Sequence, residues 1–140
     1  MPQPDRIVVD ANVLFSALLR PDSPFTRRIV QSEKAFFVCE SAIVSLFKYK
    51  ERIVTLSRLS EEDVVRQFYL LLRHVTVSKE EFIDQAARKK AVRLCRDVDI
   101  DDAPHVGLTL SLDGLLWTGD KALKRGLREQ GFDRFYEPDE

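Results

Sequence analysis

Short apolar runs alternate along the chain with longer segments in which apolar residues recur every three to four positions. The apolar runs predict four strands, at residues 7–9 (IVV), 35–39 (AFFVC), 74–78 (HVTVS) and 114–118 (GLLWT). A segment with helical spacing follows each run. Strands that alternate with helices in this way predict a parallel sheet in an α/β fold.

The predicted helices have polar residues at their starts. Ser23 is an expected N-cap, and Ser60 with Asp63 and Ser78 with Glu81 match the capping-box pattern. An acidic turn is predicted at residues 97–104 and an edge strand at the RFYEP segment, residues 134–138. The helices are predicted over residues 12–19, 24–32, 41–56, 64–73, the stretch after Ser78 to about residue 96, the stretch after the acidic turn to 112, and 121–130.

Length and composition fit an ordinary globular protein. The 140 residues, of which 44% are hydrophobic and 32% charged, predict a single domain over residues 1–140. The net charge of −1 gives no overall sign of nucleic-acid binding. Cys39 and Cys95 stand far apart, as do the two histidines, which argues against a zinc site and a disulfide scaffold. Free thiols, together with the lack of a signal peptide or membrane-spanning run, favour a cytoplasmic protein with no membrane contact.

Acidic residues stand where two strands and one helix meet the same edge of the predicted sheet. Asp10 ends the first strand, Asp120 follows the fourth, and Asp102 begins the helix that leads to the fourth. Ligands of open parallel sheets bind outside the carboxyl ends of the strands. Three carboxylates there repel one another unless a cation lies between them, and oxygen ligands suit Mg²⁺ or Mn²⁺. Helix capping is the alternative explanation for Asp102 and Asp120 taken singly.

These stretches resemble the PIN-domain family. The resemblance covers nearly the whole chain, through VVDANVLFSALL (residues 8–19), ESAIVSLFKYKERI (residues 40–53) and DIDDAPHVGLTLSLDGLLWTGDKAL (residues 99–123). It implies a three-layer α/β/α fold with a central parallel sheet and a metal-dependent endoribonuclease that uses Mg²⁺ or Mn²⁺. It also implies RNA as the substrate, a homo-oligomer, and the toxin role of a toxin–antitoxin pair with an antitoxin protein as partner.

The family's acidic site maps onto Asp10, Asp102 and Asp120 as catalytic and metal-ligating residues, with Asn12 and Ser16 as polar companions of the first aspartate. Two further acids, Asp99 and Asp101, make up the turn ahead of that site, and Asp101 is the alternative if the register slips by one. Thr118 either contacts a phosphate or the metal's water, or forms a turn at the strand end. Trp117 is predicted in the core, and His105 at the rim or the surface without a chemical role.

The middle block departs from the family pattern. PIN nucleases usually carry a glutamate where this chain has Ser45. Glu40 is the candidate substitute acid, although it lies about 140° away around a helix, and Glu51 faces away as well. Ala122 also stands where many members have an acidic or amide residue. The sequence therefore predicts a nuclease weakened by the loss of one carboxylate.

Two other functions compete with the nuclease. A degenerate, non-catalytic PIN module that binds RNA or a protein partner is the main alternative, and Ser45 favours it. A phosphoryl-transfer domain with an aspartyl nucleophile would also place an aspartate after the first strand, but it usually has a second acid two positions later, where this chain has Asn12. Basic residues could form a phosphate-binding rim or solvated helix faces: Arg27, Arg28, Lys48, Lys50, Arg52, Lys121, Lys124 and Arg125.

Overall fold

The structure is a computed structural model that describes residues 3–138. Its centre is a four-stranded sheet whose strands lie in the order β3-β2-β1-β4. All strand pairs are parallel. The strands are β1 (Arg6–Val9), β2 (Ala35–Cys39), β3 (Val75–Ser78) and β4 (Leu115–Trp117).

Helices cover both faces of this sheet within the described residues. They are α1 (Ala11–Leu19), α2 (Pro24–Gln31), α3 (Glu40–Lys48), α4 (Lys50–Ser57), α5 (Glu61–Leu72), α6 (Gln85–Cys95), α7 (Ala103–Leu112) and α8 (Lys121–Glu129). The strand period of two divides β1 between two cores: Ile7 and Val9 pack with residues of α1 to α5, whereas Val8 packs with residues of α6 to α8. The predicted α/β/α fold with a central parallel sheet is therefore confirmed.

Strand register decides where the functional edge lies. Val9, the last residue of β1, pairs with Trp117, the last residue of β4, so that the two strands end side by side. β1 lies inside the sheet and β4 at its edge, yet both are buried, since Val8, Val9 and Leu116 have no exposed surface. Residues that follow Val9 and Trp117 therefore leave the sheet at the same place.

Two of the predicted helix starts are confirmed by hydrogen bonds. The Ser23 hydroxyl accepts from the backbone N–H of Thr26 at 3.4 Å, and the Ser60 hydroxyl accepts from that of Asp63 at 3.1 Å. Each bond satisfies a backbone donor that the first turn of a helix leaves without a partner. Trp117, predicted in the core, is only 4% exposed.

The single helix predicted over residues 41–56 is wrong, because the structure has two helices, α3 and α4, separated at Tyr49. The backbone there leaves helical geometry, with φ −104° and ψ 17°. The apolar period continues across the break, since Leu46 and Ile53, seven positions apart, are both buried. The spacing of apolar residues alone therefore could not reveal the helix break at Tyr49.

The helix start predicted at Ser78 is also wrong. Ser78 is the last residue of β3 and pairs with Cys39, so its backbone belongs to the sheet. A short 3-10 turn, Glu80–Phe82, follows, and α6 begins only after Asp84, whose carboxylate accepts from the backbone N–H of Ala87 at 3.2 Å.

The predicted edge strand at residues 134–138 is reduced to one parallel bridge, between Leu116 and Phe135. No helix in residues 3–138 is both long and apolar enough to cross a membrane.

Candidate functional site

Asp10 occupies the position where β1 ends and α1 begins, and it is only 2% exposed. Its Oδ1 accepts a hydrogen bond from the backbone N–H of Val13 at 2.9 Å, so the carboxylate caps α1. Its Oδ2 is buried and has no hydrogen-bond partner. The helix N-terminus therefore satisfies one oxygen of this buried carboxylate and leaves the other unpaired.

The surroundings of Asp10 disfavour its charge. Burial is the largest cause that raises the pKa of this carboxyl, and the charge of Asp120 raises it further. The Thr118 hydroxyl and the amides of Val13 and Asn12 oppose this rise in pKa. The Thr118 hydroxyl is a close neighbour that does not reach Oδ2 with hydrogen-bonding geometry. An ionised Asp10 at neutral pH thus calls for a positive partner.

Asp120 has a structural role as the N-cap of α8. Its Oδ1 accepts from the backbone N–H of Leu123 at 3.0 Å, as the capping alternative predicted. Its own backbone N–H donates to the Thr118 hydroxyl at 3.1 Å, which makes Thr118 the turn-forming residue at the strand end. These bonds hold Asp120, a half-buried side chain, close to Asp10.

Asp102 lies at the start of α7 but its side chain makes no capping hydrogen bond. Capping therefore does not explain this residue. Burial, followed by the charges of Asp99, Asp10 and Asp120, raises the pKa of the Asp102 carboxyl to about 7. The structure thus brings the three predicted carboxylates, Asp10, Asp102 and Asp120, into one electrostatic neighbourhood.

Asp99 is a fourth acid in this neighbourhood. It is exposed, its Oδ1 accepts from the backbone N–H of Asp101 at 3.1 Å, and it is the largest charge acting on Asp102. The sequence placed Asp99 only in the turn ahead of the site. Its spacing of three residues from Asp102 was the available signal, because a 3-10 turn, here Ile100–Asp102, brings such neighbours together.

Ser45, which stands in the place of the family's glutamate, and Glu40, the candidate substitute acid, both belong to α3. Ser45 is half-buried on α3, which packs against α1 and β2. Glu40 is exposed, and its charge acts on the buried thiol of Cys39, whose pKa burial raises to about 12. Neither Glu40 nor Ser45 is among the groups that shift the pKa of Asp10 or Asp102. The role of both residues stays a prediction.

An open cleft of about 310 Å³ reaches this neighbourhood from solvent. It is lined by Asn12, Val13, Ser16, Phe25, Gly119 and Asp120. Asn12 and Ser16, the predicted companions of Asp10, therefore share the cleft with Asp120. Polar side chains and a carboxylate at an open cleft are suited to a hydrophilic ligand.

The donors present here fit a divalent cation of the Mg²⁺ type. They are carboxylate oxygens, one of them the buried and unpaired Oδ2 of Asp10. In residues 3–138, no three acidic, histidine or cysteine side chains converge closely enough to ligate one ion as they stand. Mg²⁺ keeps several waters and takes only one or two carboxylates directly, so contact with all three is unnecessary.

His105 is buried rather than on the rim or surface as predicted, and is only 5% exposed. Its Nδ1 has no hydrogen-bond partner, and burial lowers the pKa of its imidazole to about 4. The apolar positions that surround it in sequence, Ala103 and Val106, face the core of the α6 to α8 side. His105 is thus a neutral residue at neutral pH.

Comparison with known proteins agrees with this architecture. The family model described as PIN domain matches residues 8–136, which include every strand and helix except the start of β1. Curated proteins give no significant match to the chain. The match covers the carboxylates at the strand ends together with the parallel sheet that positions them, and the chain belongs to the PIN-domain family.

Proposed function

We propose that this protein is an endoribonuclease of PIN type that depends on Mg²⁺ or Mn²⁺ and uses Asp10, Asp102 and Asp120. The observation that carries the proposal is the buried Oδ2 of Asp10, which has no partner and lies within the electrostatic reach of Asp102 and Asp120. A buried carboxylate oxygen without a donor is costly unless a cation completes it. Family membership adds that the domain is of a nuclease type.

Asp10, Asp102 and Asp120 would hold the ion, which when bound polarises the scissile phosphate and lowers the pKa of the attacking water. The chain itself fixes two of these carboxylates, because the amides of Val13 and Leu123 each hold one oxygen. Asp102 is free of such bonds. Its pKa of about 7 means that it carries a proton in a large part of the metal-free molecules and releases it when positive charge arrives.

Cleavage of a fluorescent single-stranded RNA tests this function. We expect cleavage with Mn²⁺, none with EDTA, and a loss of about two orders of magnitude or more in Asp10→Asn. Attack by water produces no 2′,3′-cyclic phosphate, so the product ends distinguish this reaction from attack by the RNA's own 2′-hydroxyl. Asp101→Asn is the matched control, because Asp101 is exposed and does not shift the Asp102 pKa.

Equal cleavage by the natural protein and Asp10→Asn would contradict the proposal. Loss of activity in Asp101→Asn with retention in Asp102→Asn would show that the register is shifted by one residue. Either result can be read against circular-dichroism melting of each variant, which separates loss of the site from loss of the fold.

A non-catalytic module that binds RNA or a protein partner is the second candidate. Ser45 favours it, because a hydroxyl replaces the carboxylate that PIN nucleases usually have at this position. This candidate predicts RNA binding without any Mn²⁺-dependent cleavage above the Asp10→Asn background. The same assay therefore separates the two functions.

The biological setting we propose is that of a toxin in the cytoplasm, with an antitoxin protein and a second copy of the chain as partners. Exposed apolar side chains on α3 and α5 support a protein partner, since Phe47 is 65% exposed, Val44 65% and Tyr69 64%. Light scattering of the purified protein tests the homo-oligomer. Growth arrest on expression, relieved by a co-expressed neighbouring reading frame, tests the toxin.

A further inference from the structure

A second groove of about 320 Å³ adjoins the cleft that contains Asp120. The two share Phe25 and Gly119 in their linings, so a ligand chain can pass from one to the other. The second groove lies between α2 and α8. We call it the α2–α8 groove, and its charged lining residues are Arg28, Lys121, Lys124 and Glu137.

The side chains of α8 make this groove basic. Lys121, Lys124, Arg125 and Arg128 follow one another at intervals of three, one and three, which places them along one side of the helix. All four line a further hollow of about 600 Å³ that shares Lys121 and Lys124 with the α2–α8 groove. Arg28 faces the same groove from α2. The chain as a whole is almost neutral, so this positive charge is local.

Glu137 occupies the basic groove in the free protein. Its Oε2 lies 3.4 Å from Nζ of Lys124, and its Oε1 accepts from the guanidinium of Arg128 at 2.9 Å. Both pairs are partly exposed to solvent, with the Glu137 side chain 55% exposed. Exposed ion pairs are weak and screened by salt, so a stronger anion can replace Glu137.

Two cations remain available beside this pair. Among the described residues, no carboxylate forms an ion pair with Lys121 or Arg28, although both line the same groove. Other basic residues named above are less suitable: Lys50, for example, pairs with Glu61 at 3.1 Å and borders an apolar hollow on the α3–α5 side. Of the candidate phosphate-binding rims, the α2–α8 groove is thus the one that continues from the carboxylates.

We propose that the α2–α8 groove binds the phosphate backbone of RNA next to the cleavage site, and that Glu137 is an internal competitor that RNA displaces from Lys124 and Arg128. This inference rests on RNA being the substrate, as proposed above. The lysines are compact charges suited to phosphate contacts without base readout. A polyanion that makes several contacts displaces Glu137 more readily than a single phosphate does. Glu137 therefore raises the concentration at which single-phosphate ligands bind the groove.

Equilibrium binding of a fluorescein-labelled RNA oligomer at low salt, measured by anisotropy in EDTA, tests the groove without cleavage. Lys121→Gln/Lys124→Gln should weaken binding by about tenfold or more and reduce the slope of log K against log salt by about two. Lys89→Gln/Lys90→Gln on α6 is the matched control, because it removes the same charge from two exposed side chains that line neither groove. Glu137→Gln should tighten binding about threefold to tenfold and leave the salt slope unchanged or steeper.

If the two double-lysine variants lose RNA affinity equally, the proposal that the α2–α8 groove binds RNA is overturned, because only a general effect of charge remains. Unchanged or weaker binding in Glu137→Gln would overturn its role as a competitor. If the first double variant does not fold, Lys121→Gln alone is used, since it breaks no ion pair of the described residues. Absence of RNA binding in every protein, the natural one included, overturns this inference, whereas the nuclease itself is overturned only by the cleavage assay.

Discussion

The backbone N–H of Asp10 donates a hydrogen bond of 3.2 Å to the carbonyl oxygen of Trp117. This bond extends the pairing of β1 with β4 by one residue and places Asp10 beside the start of the Thr118–Gly119–Asp120 turn. Two acids separated by 110 positions in sequence thereby meet at one strand edge. The register between β1 and β4 therefore determines where the carboxylates of Asp10 and Asp120 lie.

Neutralising Asp102 should change how stability depends on pH in the metal-free protein. The folded-state pKa of about 7 lies above the ordinary value of 3.8, so the folded state binds this proton more tightly than the unfolded state. The resulting stabilisation is present at acid pH and is lost as pH rises through about 7. Asp102→Asn should remove that loss, so that above about pH 8 the variant's free energy of unfolding rises relative to that of the natural protein. The rise should be only on the order of 1 kcal/mol, because solvent screens this half-exposed group.

Urea unfolding of the natural protein and Asp102→Asn across the range from about pH 5 to about pH 8 checks this prediction. Asp101→Asn serves again as the control, because this exposed carboxylate is not among the charges that raise the pKa of Asp102. If the free energies of unfolding of the natural protein and Asp102→Asn differ by the same amount over that range, the charges of Asp99, Asp10 and Asp120 do not act on Asp102 as described.

His105 should weaken the protein in acid by the opposite linkage. Its folded-state pKa of about 4 is below the ordinary 6.5, so the unfolded state takes up the proton first. Stability should fall as pH decreases from about 6.5 to about 4, by at most about 3 kcal/mol for this group. His105→Phe should abolish that part of the loss, whereas the exposed His74→Gln should not. An acid unfolding curve of His105→Phe parallel to the natural one would contradict the neutral, buried imidazole.

Ser45→Glu should strengthen the site if Ser45 stands in the place of the family's glutamate. A carboxylate added beside Asp10 supplies another ligand or orients water, so cleavage should rise and Mn²⁺ affinity should increase, each by about tenfold. Rates measured over a Mn²⁺ titration give both quantities. Glu40→Gln should leave the cleavage rate and the Mn²⁺ affinity unchanged. If Glu40→Gln lowers them while Ser45→Glu has no effect, Glu40 supplies the carboxylate that Ser45 lacks.

Much of the fold could be predicted from the sequence because its signals are local. The β-branched run before Asp10 and the hydroxyl caps at Ser23 and Ser60 each act within a few residues. The helix start predicted at Ser78 is wrong because its Ser-x-x-Glu pattern arises by chance at the end of a strand. Pairing with Cys39 fixes the backbone of Ser78 in an extended conformation there. Local patterns cannot show which neighbour the backbone will pair with.

The site could be predicted only in part, for the same reason. Asp10 and Asp120 follow strands, so topology alone brings them together. The coupling of Asp99 to Asp102 depends on a 3-10 turn, and the reach of Glu137 to Arg128 depends on how residues 134–136 lie along β4. Charge interactions of this kind appear only when the three-dimensional distances are available.

Whether Asp10, Asp102 and Asp120 hold a divalent cation can be measured by Mn²⁺ binding, followed by the fluorescence of Trp117. Trp117 is the chain's single tryptophan, is 4% exposed and lies three residues before Asp120, so paramagnetic Mn²⁺ in the site should quench it saturably. We expect saturable quenching in the natural protein, an Mn²⁺ affinity about tenfold or more weaker in Asp10→Asn, and no change in Asp101→Asn. Absence of saturable quenching at millimolar Mn²⁺, or the same titration curve for the natural protein and Asp10→Asn, would contradict a metal site at these carboxylates.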